Sequence, residues 1–186
     1  MTPTRLALAA TTALALAATA QAATPAGHAP LTQAEVQAAQ RAWCAALVEI
    51  SQTHARDGHD AARALAARVI DQAYGYGHGP VLFKPTLTTA PQTFRTTREG
   101  ALAYFVGGDP AFPKDDGFAL KGWTACEVDN AAVQIHGNLA LTMGNVRVTD
   151  DDGDVTTVDK TWSFLKDDAG ALRIVLHHSS LPFGEG

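Results

Sequence analysis

The spacing of apolar residues changes once along this chain, at Gly107-Gly108, and that change limits the fold more than any other feature. Before it, Val36, Ala39, Trp43, Leu47 and Ile50 recur every three or four positions, so they form one apolar stripe on a helix that ends near His54. Thr32 and Glu35 have the spacing of a capping box, which starts that helix. A second helix is expected over residues 59–73, with Ala62, Leu65, Ala66, Val69, Ile70 and Ala73 on one face. The glycines and proline that follow Tyr74 end it, since neither residue sustains a helix. Short strands at 81–84 and 92–95 come next, then a third helix over 97–106 with Thr96 and Glu99 as its capping box. Beyond the glycine pair, residues 117–128, 131–136, 139–149, 155–166 and 172–180 read as strands. Asp129-Asn130, Gly137-Asn138, Asp151-Asp152-Gly153 and Asp167-Asp168-Ala169-Gly170 join them, residues that tolerate the positive φ of tight hairpins. Helices first and a meander afterwards make an α+β domain, its helices packed on an antiparallel sheet that can curl to leave a pocket at one end.

The domain is expected to span residues 32–186, preceded by a flexible leader over 23–31. Residues 1–22 are read separately: Arg5 precedes an apolar run too short to span a bilayer, and small residues flank Ala22, the layout of a secretory signal peptide. Export to a bacterial periplasm or beyond follows, with no membrane attachment after cleavage. A net charge of -5 disfavours a nucleic-acid partner, which calls for an excess of Lys and Arg against phosphate. An oxidising compartment permits a disulfide between Cys44 and Cys126, but Cys44 lies among Trp43, Ala45 and Ala46, and both thiols are expected to fill space as small hydrophobes.

The most conspicuous polar string is His177-His178-Ser179-Ser180, at the end of an otherwise aliphatic strand. Alternation puts His177 and Ser179 on one face with Arg173 and Val175, and His178 and Ser180 on the other with Ile174 and Leu176. Adjacent histidines therefore point apart, and His28, His54, His59, His78 and His136 add no zinc-ligand spacing. Asp150-Asp151-Asp152-Gly153-Asp154 lacks the glycine and glutamate positions of a calcium loop and reads as a solvated hairpin tip. The glycines after Tyr74 follow a helix and precede a strand, the reverse of a phosphate loop, and no nucleophile elbow is present.

Several ordered blocks carry a family resemblance: Val81-Leu82-Phe83-Lys84-Pro85-Thr86, Phe94-Arg95, Gly100 through Gly108, Asp116-Gly117-Phe118-Ala119-Leu120, and His177-His178-Ser179-Ser180-Leu181-Pro182-Phe183. Over residues 39–183 the chain resembles the iota-class carbonic anhydrases of bacteria and algae. They are a branch of the cone-shaped nuclear transport factor 2-like (cystatin-like) superfamily related to the calcium/calmodulin-dependent kinase association domain. The resemblance implies reversible hydration of carbon dioxide to bicarbonate, with Thr86, Tyr104, His177 and Ser179 as the catalytic positions. Thr86, Tyr104 and Ser179 would also bind substrate. The pairing of His177 with Ser179 agrees with the strand alternation argued above.

Hydroxyls both accept and donate hydrogen bonds, so such a set can orient a water and stabilise a developing anion. Family members are described as metal-free in some cases and zinc-dependent in others. Here no cofactor is expected, because the spacing gives zinc no support. A homodimer is the expected assembly. Two other readings fit the same cone: a polyketide-cyclase or ketosteroid-isomerase-like enzyme, which would want a pocket carboxylate, and a non-catalytic self-association module.

Ala20 and Ala22 fit a signal-peptidase site, so the exported chain should begin at Ala23 by N-terminal mass analysis. A mature chain that still carries Arg5 would contradict the assignment.

Overall fold

A computed structural model of the chain describes residues 30–184; the export segment, its cleavage point and His28 lie outside the described residues. The elements are α1 (Gln33–Asp57), α2 (His59–Ala73), β1 (Leu82–Lys84), α3 (Arg98–Val106), a single 3-10 turn (Phe118–Leu120), β2 (Ala125–His136), β3 (Leu139–Thr149), β4 (Val155–Lys166) and β5 (Leu172–Ser180). The strands form one five-stranded sheet in the order β1-β5-β4-β3-β2. β2 to β5 are antiparallel neighbours, whereas β1 joins β5 in parallel, so the sheet is mixed.

α1 starts where the sequence indicates. The Thr32 hydroxyl accepts from the Glu35 amide while the Glu35 carboxylate accepts from the Thr32 amide. Lys166, at the end of β4, donates to the same carboxylate at 2.7 Å and, with Thr32, holds its pKa down at about 2. Val36, Trp43, Leu47 and Ile50 of the predicted stripe are buried, and Gln40 joins them. That glutamine is satisfied by a reciprocal pair of hydrogen bonds with Asn130 on β2 and a third to Thr142 on β3. α2 spans the expected residues and buries Ala62, Ala66 and Ile70.

The chain departs from expectation at five places. Residues 92–95 form no strand; Arg95 instead bonds the Phe83 carbonyl once through its amide. α3 is capped one residue later than predicted, by Thr97, whose hydroxyl accepts from the Gly100 amide. Residues 117–124 make the 3-10 turn and a loop, and β2 runs unbroken through Asp129-Asn130, where the sequence suggests a hairpin. A bulge replaces the turn. It depends on Gly144 across the ladder, because a Cβ there would collide with the backbone of Asp129 to Ala131.

The fourth departure is a second bulge, in β5. Ser163 pairs with Leu176 but Phe164 with Ile174, which leaves Val175 extra and breaks the alternation. Ile174, His177 and Ser179 therefore share the buried face, and His178 is exposed. The fifth is the cysteine pair: Cys44 and Cys126 are bridged, with Cα atoms 5.2 Å apart, rather than packed as free thiols. The bridge ties α1 to β2 across 82 residues, and by the chain-entropy estimate closing so long a loop stabilises the fold by roughly 4 kcal/mol.

The loops around α3 are pinned by one fully buried ion pair. Arg95 Nε and Nη2 donate to both oxygens of Asp115, at 2.9 and 2.6 Å, and the guanidinium lies over the Phe112 ring. Removing one partner of such a pair leaves an uncompensated buried charge. Asp115→Ala should lower urea-denaturation stability by about 3–5 kcal/mol, and Arg95→Met/Asp115→Leu should recover most of it. A loss below about 1 kcal/mol in the single variant would mean the pair contributes little.

Candidate active site

β1 is only three residues long, yet its placement decides the site. Parallel pairing with β5 sets Phe83 beside His177, and their rings stack at 4.3 Å. The chain then turns at Pro85 and brings the Thr86 hydroxyl to within 2.5 Å of the Ser179 hydroxyl. Lys84 closes the same corner, donating from Nζ to the Ser179 carbonyl at 3.0 Å.

Tyr104 arrives from α3, packed edge-on to Phe83 and stacked on Phe118. Its hydroxyl is buried without a hydrogen bond of good geometry, one of two such side-chain atoms among the described residues, the other being Trp162 Nε1. Burial pushes the phenol's pKa up, against the opposing pull of the nearby Leu87 amide and the Thr86 hydroxyl and amide. An unpaired buried hydroxyl is costly, roughly 1–3 kcal/mol. Tyr104 lines a cleft of about 50 Å³ together with Leu87, Lys114, Asp115, Phe118 and Lys121, room for a few water-sized molecules.

His177 is 2 % exposed and sits on the same face as Ser179, but both ring nitrogens are engaged. Nδ1 lies 2.8 Å from the Tyr74 hydroxyl, which itself accepts from Trp43 Nε1 at 2.9 Å. Nε2 lies 2.6 Å from Lys160 Nζ. Burial, then the charges of Lys160 and His178, push the imidazole pKa well below its usual value, so His177 is neutral. Lys160 is 5 % exposed and forms no ion pair with a carboxylate among the described residues. Its Nζ instead lies over the Trp43 and Trp162 rings, at 4.8 and 5.2 Å. Burial lowers its pKa to about 7.

Of the four residues singled out in the sequence, Thr86 and Ser179 touch, Tyr104 stands beside them, and His177 forms the layer behind. Tyr74, Trp43 and Lys160 were missed. Lys160 had a signal, since it interrupts the inward series Val158, Trp162, Phe164 at an alternate position of β4. Tyr74 had none, lying in a loop that reads only as a helix terminator. His54 and His59 pack edge-to-face at 6.5 Å, and among the described residues no three His, Cys, Asp or Glu side chains are grouped to hold a metal ion.

The family profile described as metal-independent carbonic anhydrase matches residues 34–181. The chain belongs to the metal-independent carbonic anhydrase family. A curated metal-independent carbonic anhydrase of Nostoc sp. is 61% identical over 168 residues, which cover 90% of this chain and 82% of that protein. The crystal structure of a cyanobacterial iota-carbonic anhydrase complexed with bicarbonate superposes with a TM-score of 0.84 at 62% identity, covering 87% of this chain and 99% of that one. A putative calcium/calmodulin-dependent kinase II association domain from Xanthomonas campestris has a TM-score of 0.56 at 23% identity, covering 87% and 93%. That likeness shows the fold alone, an α+β domain of helices followed by a curved five-stranded mixed sheet. The carbonic anhydrase family carries no resident metal in its description, in line with the expectation of no cofactor.

The depressed pKa of Lys160 has a sign that stability can read. The unfolded chain keeps this proton up to pH 10.5, whereas the folded one releases it near 7. Unfolding between those values takes up a proton, so stability should rise with pH across that window, by up to about 1.4 kcal/mol per unit. Lys160→Met should flatten this rise and be the more stable protein by a few kcal/mol near neutral pH. Urea titrations at several pH values check it, and parallel curves for the two proteins would refute it.

Proposed function

We propose that this chain catalyses the reversible hydration of carbon dioxide to bicarbonate without a metal, in the corner formed by Thr86, Tyr104, His177 and Ser179. The observation that carries the reading is the Thr86–Ser179 hydroxyl pair with the unpaired Tyr104 phenol at its edge. Hydration needs a water aimed at the carbon and donors for oxygens that become negative. The paired hydroxyls can accept from the water and donate to the product, and Tyr104 has a proton free to give. Among the described residues around this corner, Lys84, Lys114 and Lys121 outnumber the one carboxylate without an ion pair, Asp116, in a chain whose net charge is -5, which favours a small anion there. The similar cyanobacterial structure holds bicarbonate.

The isomerase-like alternative would need a free carboxylate as base. Two carboxylates line the Tyr104 cleft: Asp115, both of whose oxygens are held by Arg95, and Asp116, which is exposed to solvent rather than set in the apolar surroundings that raise such a base's pKa. Export to an oxidising compartment is supported by the Cys44–Cys126 bridge. The exposed Leu141 and Met143 of β3 offer apolar surface for the expected homodimer.

Stopped-flow hydration assays on metal-analysed protein test the reaction. Activity should survive exhaustive chelation, and Tyr104→Phe, Thr86→Ala and Ser179→Ala should each lose about two to three orders of magnitude, by analogy with deletion of oxyanion-hole donors. Activity that vanishes with chelator and returns with zinc sinks the metal-free mechanism; an unimpaired Tyr104→Phe removes Tyr104 from it.

A further inference from the structure

Carbon dioxide hydration releases a proton, and a site without a metal hydroxide must place it somewhere. Thr86, Ser179 and Tyr104 are hydroxyls that ordinarily stay protonated, and His177 has both nitrogens occupied. Behind them lies a buried amine, Lys160, with no carboxylate partner among the described residues. Lys160 and Ser179 are direct partners across the β4–β5 ladder, so their side chains share the buried face with Cβ atoms about 5 Å apart. On the basis of the carbonic anhydrase reading, we propose that Lys160, bonded to His177 and across the ladder from Ser179, is the proton-holding residue of this site: a neutral amine when carbon dioxide is hydrated and an ammonium when bicarbonate is dehydrated.

The step balances. The water oxygen bonds to carbon as one of its O–H bonds breaks, the proton ends on the lone pair of the Lys160 nitrogen, and bicarbonate leaves. The resulting ammonium then passes its proton to a solvent base, which restores the amine. Ser179 stands across the ladder from Lys160, but its hydroxyl is bonded to Thr86 and not to Lys160 Nζ, so a rotation of the serine hydroxyl or one intervening water completes the transfer.

The hydrogen bonds around His177 admit this change and record it. Tyr74 accepts from Trp43 Nε1, and its single proton is satisfied only by His177 Nδ1. Nε2 then carries the imidazole proton, and it can point at Lys160 Nζ only if that nitrogen has a free lone pair. An ammonium has none. Protonated Lys160 must donate to Nε2, which moves the imidazole proton to Nδ1 and makes Tyr74 an acceptor from both sides. One proton on Lys160 is therefore coupled to the tautomer of His177.

Among the described residues few titrating groups lie near Lys160. His177 and, through it, Tyr74 face it from β5 and the end of α2; α1 contributes Trp43, and β3 contributes Gly144 opposite. Lys84 is a second lysine whose pKa burial lowers, but its Nζ is turned to the Ser179 carbonyl and away from His177, and His178 lies on the exposed face of β5. Burial holds the Tyr74 phenol well above its usual range, so it stays protonated, and sets Lys160 at about 7, where a proton is taken and returned with little bias.

Two measurements test the proposal. In stopped-flow assays, hydration kcat should rise with pH through a single transition near 7 and dehydration should fall through it. Lys160→Met should lower hydration kcat about a hundredfold and abolish that transition, with KM little changed. Lys160→Arg, which keeps a cation but cannot release its proton, should be as slow at every pH. Histidine nitrogen NMR on the unaltered protein should find His177 as the Nε2–H tautomer above the transition and Nδ1–H below it. A folded Lys160→Met with the original pH profile, or a His177 tautomer constant across the transition, overturns the proposal. Wild-type protein that shows the tautomer change but hydrates no carbon dioxide overturns the carbonic anhydrase reading instead.

Discussion

The imidazole of His177 is where the parts of this molecule meet. A buried polar ring must have both nitrogens bonded, and here the partners come from the end of α2 and from β4, while Trp43 of α1, Phe83 of β1 and Trp162 of β4 pack around it. Satisfying that one ring fixes how far α2 extends toward the sheet and which strand β1 adds to. The stack on Phe83 is what aligns the short parallel strand, and that alignment delivers Thr86 to Ser179. The site is thus a consequence of packing around a neutral histidine placed one layer beneath it.

A neutral histidine beside a buried lysine is an unusual choice for stability. An ammonium taken out of water with no carboxylate near it is penalised heavily, and two indole faces return only part of that penalty. The outcome is an amine whose charge is nearly balanced between its two forms near neutrality. Perturbed groups of this kind gather where chemistry needs a proton to be movable, and the hydroxyl pair lies on the same face one strand away. A metal-free enzyme has no bound hydroxide to draw on, so preorganised hydroxyls and an amine of tuned basicity are the groups left to orient water and hold charge.

Two clamps hold this arrangement from outside. The Cys44–Cys126 bridge keeps α1, and with it Trp43, over the sheet. The Arg95–Asp115 pair fixes the loops on either side of α3, which is what points Tyr104 into the corner. Arg95 also ties its backbone to Phe83 and, through its carbonyl, to the Tyr76 hydroxyl, so the α3 region and β1 move as one piece. The clamps share no residues, yet one holds Trp43 against His177 and the other holds Tyr104 beside the hydroxyl pair.

By itself the sequence determined the elements whose signals are local. The Thr32–Glu35 cap, the α1 stripe, the limits of α2 and the three strands β3, β4 and β5 follow from periods of 3.6 and 2 and from turn residues, all of which act over a few positions. The ordered blocks also carried the family, and with it the proposal that Thr86, Tyr104, His177 and Ser179 form the site. Tertiary structure alone decided the rest. The bulge at Val175 swaps the face of His178, and the unbroken β2 needs Gly144 on another strand; neither is visible to a rule that reads one strand at a time. The parallel seat of β1 and the Cys44–Cys126 bridge depend on distances between segments remote in sequence. Lys160 stands out in the β4 pattern as a charge among inward apolar residues, but whether such a lysine is an error, a salt bridge or a proton acceptor depends on its neighbours. That answer came only when folding placed His177 against its nitrogen and no carboxylate beside it, because a pKa belongs to an environment rather than to a residue.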